Sequence, residues 1–298
     1  MPNLRVFQDM RPAVAAITAH HSLYPNTPPP EAGWTAGNDR VIIGTAFVID
    51  LKGIVLTAGH VISEFIEQRG KFHPPKTAPE QRGLQLVFQQ SASKRRPVPD
   101  LDSAYVPADN HIWIQQVTIA PPLYIIDDQV DLAVLYTDPI PLGTPFSPTY
   151  LSLSKSEPMV GTDVIVCGFP HGQAINSKHG LGVTNPPTFS HGIIGAILPD
   201  WNSPPEERSA YRFDAQVLGG NSGGPVCDRQ TGKVYGVQST TTVLNLEDGR
   251  TKIPTGFPEA VALCHIRRFI AYATEKRASA HSFQILTPRE EADLDRSE

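Results

Sequence analysis

The sequence predicts an all-β protein, and three observations carry that reading. Short apolar stretches recur along the chain with turn residues between them, a spacing that builds sandwiches or barrels rather than strand–helix–strand units. Proline is abundant, at 29 of 298 residues, or about 10% against a usual ~5%. Proline suits turns and sheet edges and disfavours long helices. A Pro-rich link, "DPIPLGTPFSPTY" at 138–150, divides the strands into two groups, so the chain reads as two lobes.

In the first group, "AVAAITAHHSLY" (13–24) and "RVIIGTAFVID" (40–50) are strands separated by the loop "PNTPPPEAGWTAGND". "GIVLTAGHVI" (53–62) is a third apolar strand that runs into a helical stretch near Val61–Arg69. Residues 70–83 and 91–110 are proline-rich and polar and read as surface loops around a strand at Leu84–Phe88. "HIWIQQVTIA" alternates as a strand does, and "DLAVLYT" is a buried strand that opens on Asp131. The second group holds "DVIVCGFP", "SHGIIGAIL", "AYRFDAQV", "KVYGVQSTTTVL" and "PEAVALC". An amphipathic helix follows in "CHIRRFIAYATEKRA", with Ile266, Phe269, Ile270 and Ala273 on one face. We expect one domain over 1–278, with lobes at about 11–137 and 150–264 and the helix at about 265–278. The polar, acidic remainder at 279–298 reads as a tail that is disordered or faces a partner.

Composition excludes several classes. The net charge is −5 and the only basic run is Lys94–Arg96, so no nucleic-acid footprint is expected. No apolar run reaches the ~18 residues of a membrane span, and "MPNLRVFQDMRPAV" lacks the apolar core of a signal peptide. Cys167, Cys227 and Cys264 make an odd, low count that suits a reducing compartment, so we expect a cytoplasmic protein. They read as buried thiols, with pairing of Cys167 and Cys227 left open. His20, His21, His73, His111, His171, His179 and His191 show no metal-ligand spacing, so no metal and no cofactor are expected.

The chemistry centres on "GGNSGGPV" (219–226), four glycines and a proline around Ser222. Glycine is costly in regular structure, and such a cluster implies tight turns and close backbone approach. The segment Gly220–Gly224 formally fits the G-x-S-x-G nucleophile elbow, but that arrangement needs a helix directly after the serine and its acid and His later in the chain. Gly224–Pro225 allows no such helix. The order His60, Asp131, Ser222 fits the other known arrangement, with His60 after an apolar strand and Asp131 before one. In that reading Ser222 Oγ is the nucleophile, His60 its base, and Asp131 the group that fixes the imidazole tautomer. The N–H groups of Gly220 and Ser222 form the oxyanion hole.

At these residues the sequence resembles the chymotrypsin-fold serine proteases, and most closely the bacterial HtrA/Deg-type peptidases. "GTAFVID", "LTAGHVI", "DLAVL" and "FDAQVLGGNSGGPV" stand in that family's order over roughly residues 11–275, and "RPAVAAI" and "VIVCGFPHG" add to the match. The resemblance implies two six-stranded antiparallel barrels with the triad in the cleft between them, and endopeptidase activity on protein or peptide substrates. Offset from Ser222 puts Gln216 at the primary pocket, Ser239, Thr240 and Thr241 on the edge strand that pairs with extended substrate, and Ala260 on the opposite wall. No aspartate stands at the pocket base, so a basic substrate side chain is not expected. Glu259 threatens that expectation, because a shift of one residue would put its carboxylate in the pocket. HtrA-type proteins usually carry a PDZ domain after the protease; none is expected after the helix here, and the span between His60 and Asp131 is long. The rival reading is a protease-fold peptide-binding module that is catalytically silent, or dormant until a regulatory partner binds the tail or the loops.

Overall fold

The computed structural model describes residues 4–20, 40–50, 53–71, 84–91, 112–119, 124–136, 150–170, 174–177, 180–183, 187–199, 204, 209–245 and 252–279. Of the sequence expectations, the loop at 25–39, nearly all of the loops at 70–83 and 91–110, the run Lys94–Arg96, most of the 138–150 link and the tail beyond Ser279 lie outside the described residues.

The first lobe is built from β1 (Val14–His20), β2 (Arg40–Asp50), β3 (Ile54–Ala58), β4 (Leu84–Ser91), β5 (Ile112–Ile119), β6 (Tyr124–Asp127) and β7 (Leu132–Tyr136). They form one antiparallel sheet in the order β5-β4-β1-β2-β3-β7-β6. This corrects the expectation of a six-stranded barrel here: among the described residues the lobe is a seven-stranded sheet whose two edges, β5 and β6, are not joined. Strand number and closure depend on which edges meet, and that is not encoded in any one strand.

Side chains alternate across a strand, and here both faces of the sheet are covered. Ala15, Ile17, Ala46, Val48 and Val55 pack into the core of the first lobe. Val14, Ala16, Phe47, Leu56 and Val134 point the other way, into a core shared with Ile165, Cys167, Cys227 and Val237 of the second lobe. That double burial is why these strands read as nearly continuous apolar runs.

Between β3 and β4 lies helix α2 (Gly59–Lys71). A helix of its 13 residues is marginal alone in water. Val61, Ile62 and Phe65 are at most 2% exposed, and burial of each side chain contributes about 1.5–3 kcal/mol. Those three anchors fix the helix, and with it the residue on its first turn, His60.

The second lobe contains a closed six-stranded barrel, in the order β11-β12-β15-β14-β13-β8, as expected for this lobe. Its strands are β8 (Asp163–Gly168), β11 (Thr188–Leu198), β12 (Ala210–Phe213), β13 (Pro225–Asp228), β14 (Val234–Asn245) and β15 (Lys252–Ala262). A separate hairpin, β9 (Ala174–Ser177) with β10 (Gly180–Val183), precedes β11.

Two helices bind the lobes together. The terminal α3 (Leu263–Ser279) buries Ile266, Phe269 and Ala273 in the shared core, and Tyr136 Oη donates to Ala273 O at 2.7 Å. The sequence reading did not foresee the other, α1 (Leu4–Met10). It buries Val6 and Met10 in the same core, and Phe7 meets Phe189 edge to face with ring centroids 5.0 Å apart. At seven residues it is too short to show a helical period in the sequence.

Candidate active site

His60 is presented by the junction of β3 and α2, and Asp131 by the turn that leads into β7, the strand paired with β3. That pairing aligns Ala58 with Leu132, so the residues just beyond them meet. Asp131 has φ 56°, in the left-handed region. Aspartate is one of the few residues with a Cβ that is enriched there. Gly59 makes room for it, since a Cβ at that position would stand 3.1 Å from Asp131 C and Leu132 N.

The contact between the two is multiple. The backbone N–H of His60 donates to Asp131 Oδ1 at 2.7 Å, and His60 Nδ1 lies 3.0 Å from Oδ1 and 2.9 Å from Oδ2. A carboxylate only accepts, so Nδ1 carries the proton and Nε2 is left as the acceptor that faces outward from the pair. Ser239 Oγ also donates to Asp131 Oδ2. Burial works against ionisation of both groups, but the mutual bonds and charges outweigh it. The His60 imidazole is held above its ordinary value, with Glu64 adding to the effect of Asp131. The Asp131 carboxyl is held below its ordinary value by His60 and Ser239.

The neighbouring acids are engaged elsewhere. Asp127 Oδ1 accepts from the N–H groups of Gln129 and Val130, and Asp128 Oδ1 accepts from Ser63 Oγ at 2.8 Å.

Two tight turns meet at Asn221, and Ser222 is the second residue of the later one. The N–H of Asn221 donates to Leu218 O at 3.1 Å, and that of Gly224 to Asn221 O at 2.8 Å. The third residue of each turn is a glycine in the left-handed region, Gly220 at φ 93° and Gly223 at φ 85°. Gly223 is further constrained, because a Cβ there would overlap Thr57 Oγ1 and the carbonyl oxygen of Thr45. Gly220 and Gly223 of "GGNSGGPV" are thereby accounted for by turn geometry, and Gly223 also by close packing of the nucleophile loop against the first lobe. The N–H groups of Gly223 and Gln238 pair the loop with β14, through Gln238 O at 2.6 Å and Gly224 O at 2.8 Å.

The Ser222 hydroxyl donates to Ser239 O at 3.4 Å, a long and weak bond. Among the described residues no hydrogen bond joins it to the His60 ring. Ser239 thus touches both parts of the site, Asp131 through its hydroxyl and Ser222 through its carbonyl. The sequence reading had placed Ser239 on the substrate edge and had not foreseen its bond to Asp131, which spans 108 residues of chain.

The remaining predicted residues are spread along the same two strands and the loop. Thr240 is exposed on β14, Gln216 is exposed ahead of the Leu218 turn, and Ala260 is fully buried in the core of the second lobe. Thr241 continues β14 opposite Pro258, and its side chain lies outside the described residues. Glu259 turns to the other side of β15, where Arg212 donates to Oε1 from Nε at 3.0 Å and from Nη2 at 2.5 Å. All three cysteines are free thiols, so the open question of a Cys167–Cys227 bridge is answered in the negative. Among the described residues no cluster of three His, Cys, Asp or Glu side chains could hold a metal ion, and no helix is long and apolar enough to cross a membrane.

Residues 44–237 match the trypsin-like peptidase domain family. The chain belongs to that family. No curated protein matches this trypsin-like peptidase. Among solved structures it is similar to a serine endoprotease from Yersinia pestis, with a TM-score of 0.52 and 17% identity over 91% of this chain and 67% of the other. It is similar also to Deg5, with a TM-score of 0.51 and 19% identity over 89% of this chain and 90% of the other. At that identity the likeness is one of fold: the trypsin-like peptidase has the chymotrypsin-like fold, in keeping with its HtrA/Deg-type motifs.

Proposed function

We propose that this trypsin-like peptidase is a serine endopeptidase that cleaves proteins or peptides through His60, Asp131 and Ser222 and needs no cofactor. The observation that carries the reading is the His60–Asp131 pair, with Nδ1 within 3.0 Å of both carboxylate oxygens, and Ser239 links that pair to the glycine-framed Ser222.

An extended substrate pairs with β14 along Ser239–Thr241, a strand-addition mode of recognition. Its backbone N–H competes for Ser239 O, the acceptor that now holds the Ser222 hydroxyl. Rotation about one side-chain bond then turns Oγ from Ser239 O toward His60. Oγ attacks the scissile carbonyl while Nε2 takes its proton, and Asp131 stabilises the imidazolium. The oxyanion accepts from the N–H groups of Gly220 and Ser222. Collapse expels the amine with the proton from His60, and water attacks the acyl-enzyme by the same route. The Arg212–Glu259 pair supports a pocket without free negative charge and so a preference for small or medium apolar side chains.

The test is digestion of an unfolded protein substrate by the wild type and by Ser222→Ala. A loss of about 10⁴-fold or more with the fold intact is expected. Equal digestion by both would overturn the reading.

A further inference from the structure

Thr45 lies on β2 in the first lobe and is 0% exposed, an isolated polar residue in an apolar strand. All of its polar groups are used, and three of its four bonds reach into the second lobe. Its N–H donates to Ser222 O at 2.8 Å. Its Oγ1 donates to Gly220 O at 2.7 Å and accepts from the N–H of Phe169 at 3.0 Å. Its carbonyl accepts from Thr57 Oγ1 at 2.7 Å. Thr57 belongs to β3, the strand that ends at Ala58 and leads to His60.

From this geometry we propose that Thr45 is a positioning residue for the oxyanion hole. The inference rests on the serine-endopeptidase reading. Gly220 and Ser222 are the two residues whose N–H groups would meet the developing oxyanion, and Thr45 holds the carbonyl of each. A fixed carbonyl fixes the peptide plane after it, and so restricts the ψ of Gly220 and of Ser222. At Gly220 that restraint matters most, because glycine has no side chain to limit its rotation. The hydroxyl of Thr45 therefore holds the Leu218–Asn221 turn in one form, and the direction of the Gly220 N–H depends on that form. It also registers the lobe that carries Ser222 against the strand that leads to His60. An oxyanion donor acts through preorganisation, so loss of its support lowers the rate more than it weakens ground-state binding.

The test compares wild type, Thr45→Val and Thr45→Ser. Valine keeps the backbone N–H and the shape but removes the hydroxyl, and serine restores the hydroxyl without the methyl group. Each folded protein is assayed for kcat and KM on a peptide substrate. Each is also assayed for binding of a peptide aldehyde, whose hemiacetal oxygen occupies the oxyanion position. Thr45→Val is expected to lose roughly 30–300-fold in kcat, with KM within about threefold, and to lose aldehyde affinity in proportion. Thr45→Ser is expected within about fivefold of wild type on all three measures. If valine does not fold, Thr45→Ala is read by the same criteria. A valine or alanine variant with wild-type kcat and aldehyde affinity overturns the positioning role and leaves the protease reading standing. So does a serine variant as impaired as valine, since packing of the methyl group would then be what matters. A wild type that neither cleaves peptide nor binds the aldehyde overturns the protease reading, and the role of Thr45 with it.

Discussion

Asp131 holds His60 at two points: Oδ1 accepts its backbone N–H at 2.7 Å, and the ring Nδ1 stands 2.9 Å from Oδ2. The first bond fixes where the residue sits and the second fixes which way the ring turns and which nitrogen bears the proton. Asp131→Asn keeps the shape but presents an amide that can donate, which favours the wrong tautomer. We expect kcat to fall by roughly 10³–10⁴ near neutral pH. Asp128→Asn, which disturbs only the bond from Ser63, should stay within about threefold, because the loss of one exposed hydrogen bond is worth ~0.5–1.5 kcal/mol and lies off the reaction path. Steady-state kinetics of the two variants checks this, and a crippled Asp128→Asn beside a mild Asp131→Asn would reassign the acid.

The pH dependence follows from the same pair. His60 is held above its ordinary 6.5, so it remains protonated, and useless as a base, to a higher pH than a free imidazole. The acid limb of kcat/KM should therefore have its midpoint above 6.5, and Asp131→Asn should move that midpoint down. The linkage to stability has the matching sign. The His60 interaction stabilises the fold below the ordinary value of the imidazole and fades as pH rises through the raised one. That of Asp131 is present above its ordinary 3.8 and fades as acid protonates the depressed carboxyl. A pH–rate profile of both proteins, with midpoints fitted, decides the first statement.

Gly223 combines φ 85° with a site where a Cβ would overlap Thr57 Oγ1 and Thr45 O. Gly223→Ala must strain the backbone and part the loop from the first lobe together. A stability loss of about 3 kcal/mol or more is expected from such overpacking and strain. Denaturant unfolding of Gly223→Ala checks the figure. Gly161 is the contrast, at φ 88° with nothing within 4 Å of a Cβ, so alanine there should be milder, at about 1–2 kcal/mol.

How much of this was legible in the sequence depends on the range of the interaction. Local patterns placed β2 at Arg40–Asp50 and set the apolar face of α3, because alternation and helical period are written in adjacent residues. His60, Asp131 and Ser222 were legible because each is framed by an unusual neighbourhood, two of them at strand ends and one among glycines. The hydroxyls of Ser239 and Thr45 were not, because their partners lie 108 and 175 residues away and neither residue type is rare in a strand. The one available signal was a threonine inside an apolar run, which a buried strand tolerates only if its hydroxyl is bonded. The open seven-stranded sheet was hidden for a related reason, since the pairing of edges is a property of the whole lobe.

Substrate preference follows from where the carboxylates point. Glu259 is bound by Arg212, so a basic side chain in the pocket would be desolvated without an ion pair in return, at a cost of several kcal/mol. An apolar side chain gains about 25 cal/mol per Å² buried. Cleavage after Val, Ala or Leu should exceed cleavage after Lys or Arg by at least tenfold, in the order of magnitude set by those terms. Sequencing the products of a denatured-protein digest reads this directly, and a majority of cuts after basic residues would refute it.

The central claim is that Ser222 is a nucleophile activated by His60. A fluorophosphonate reacts with such a serine and spares ordinary hydroxyls, so the decisive measurement is the mass of the full chain after exposure to the probe, followed by mapping of the modified peptide. The account predicts one adduct per chain, on Ser222, and none on the His60→Ala variant. A wild-type chain that stays unmodified, or an adduct on any other residue, would contradict it.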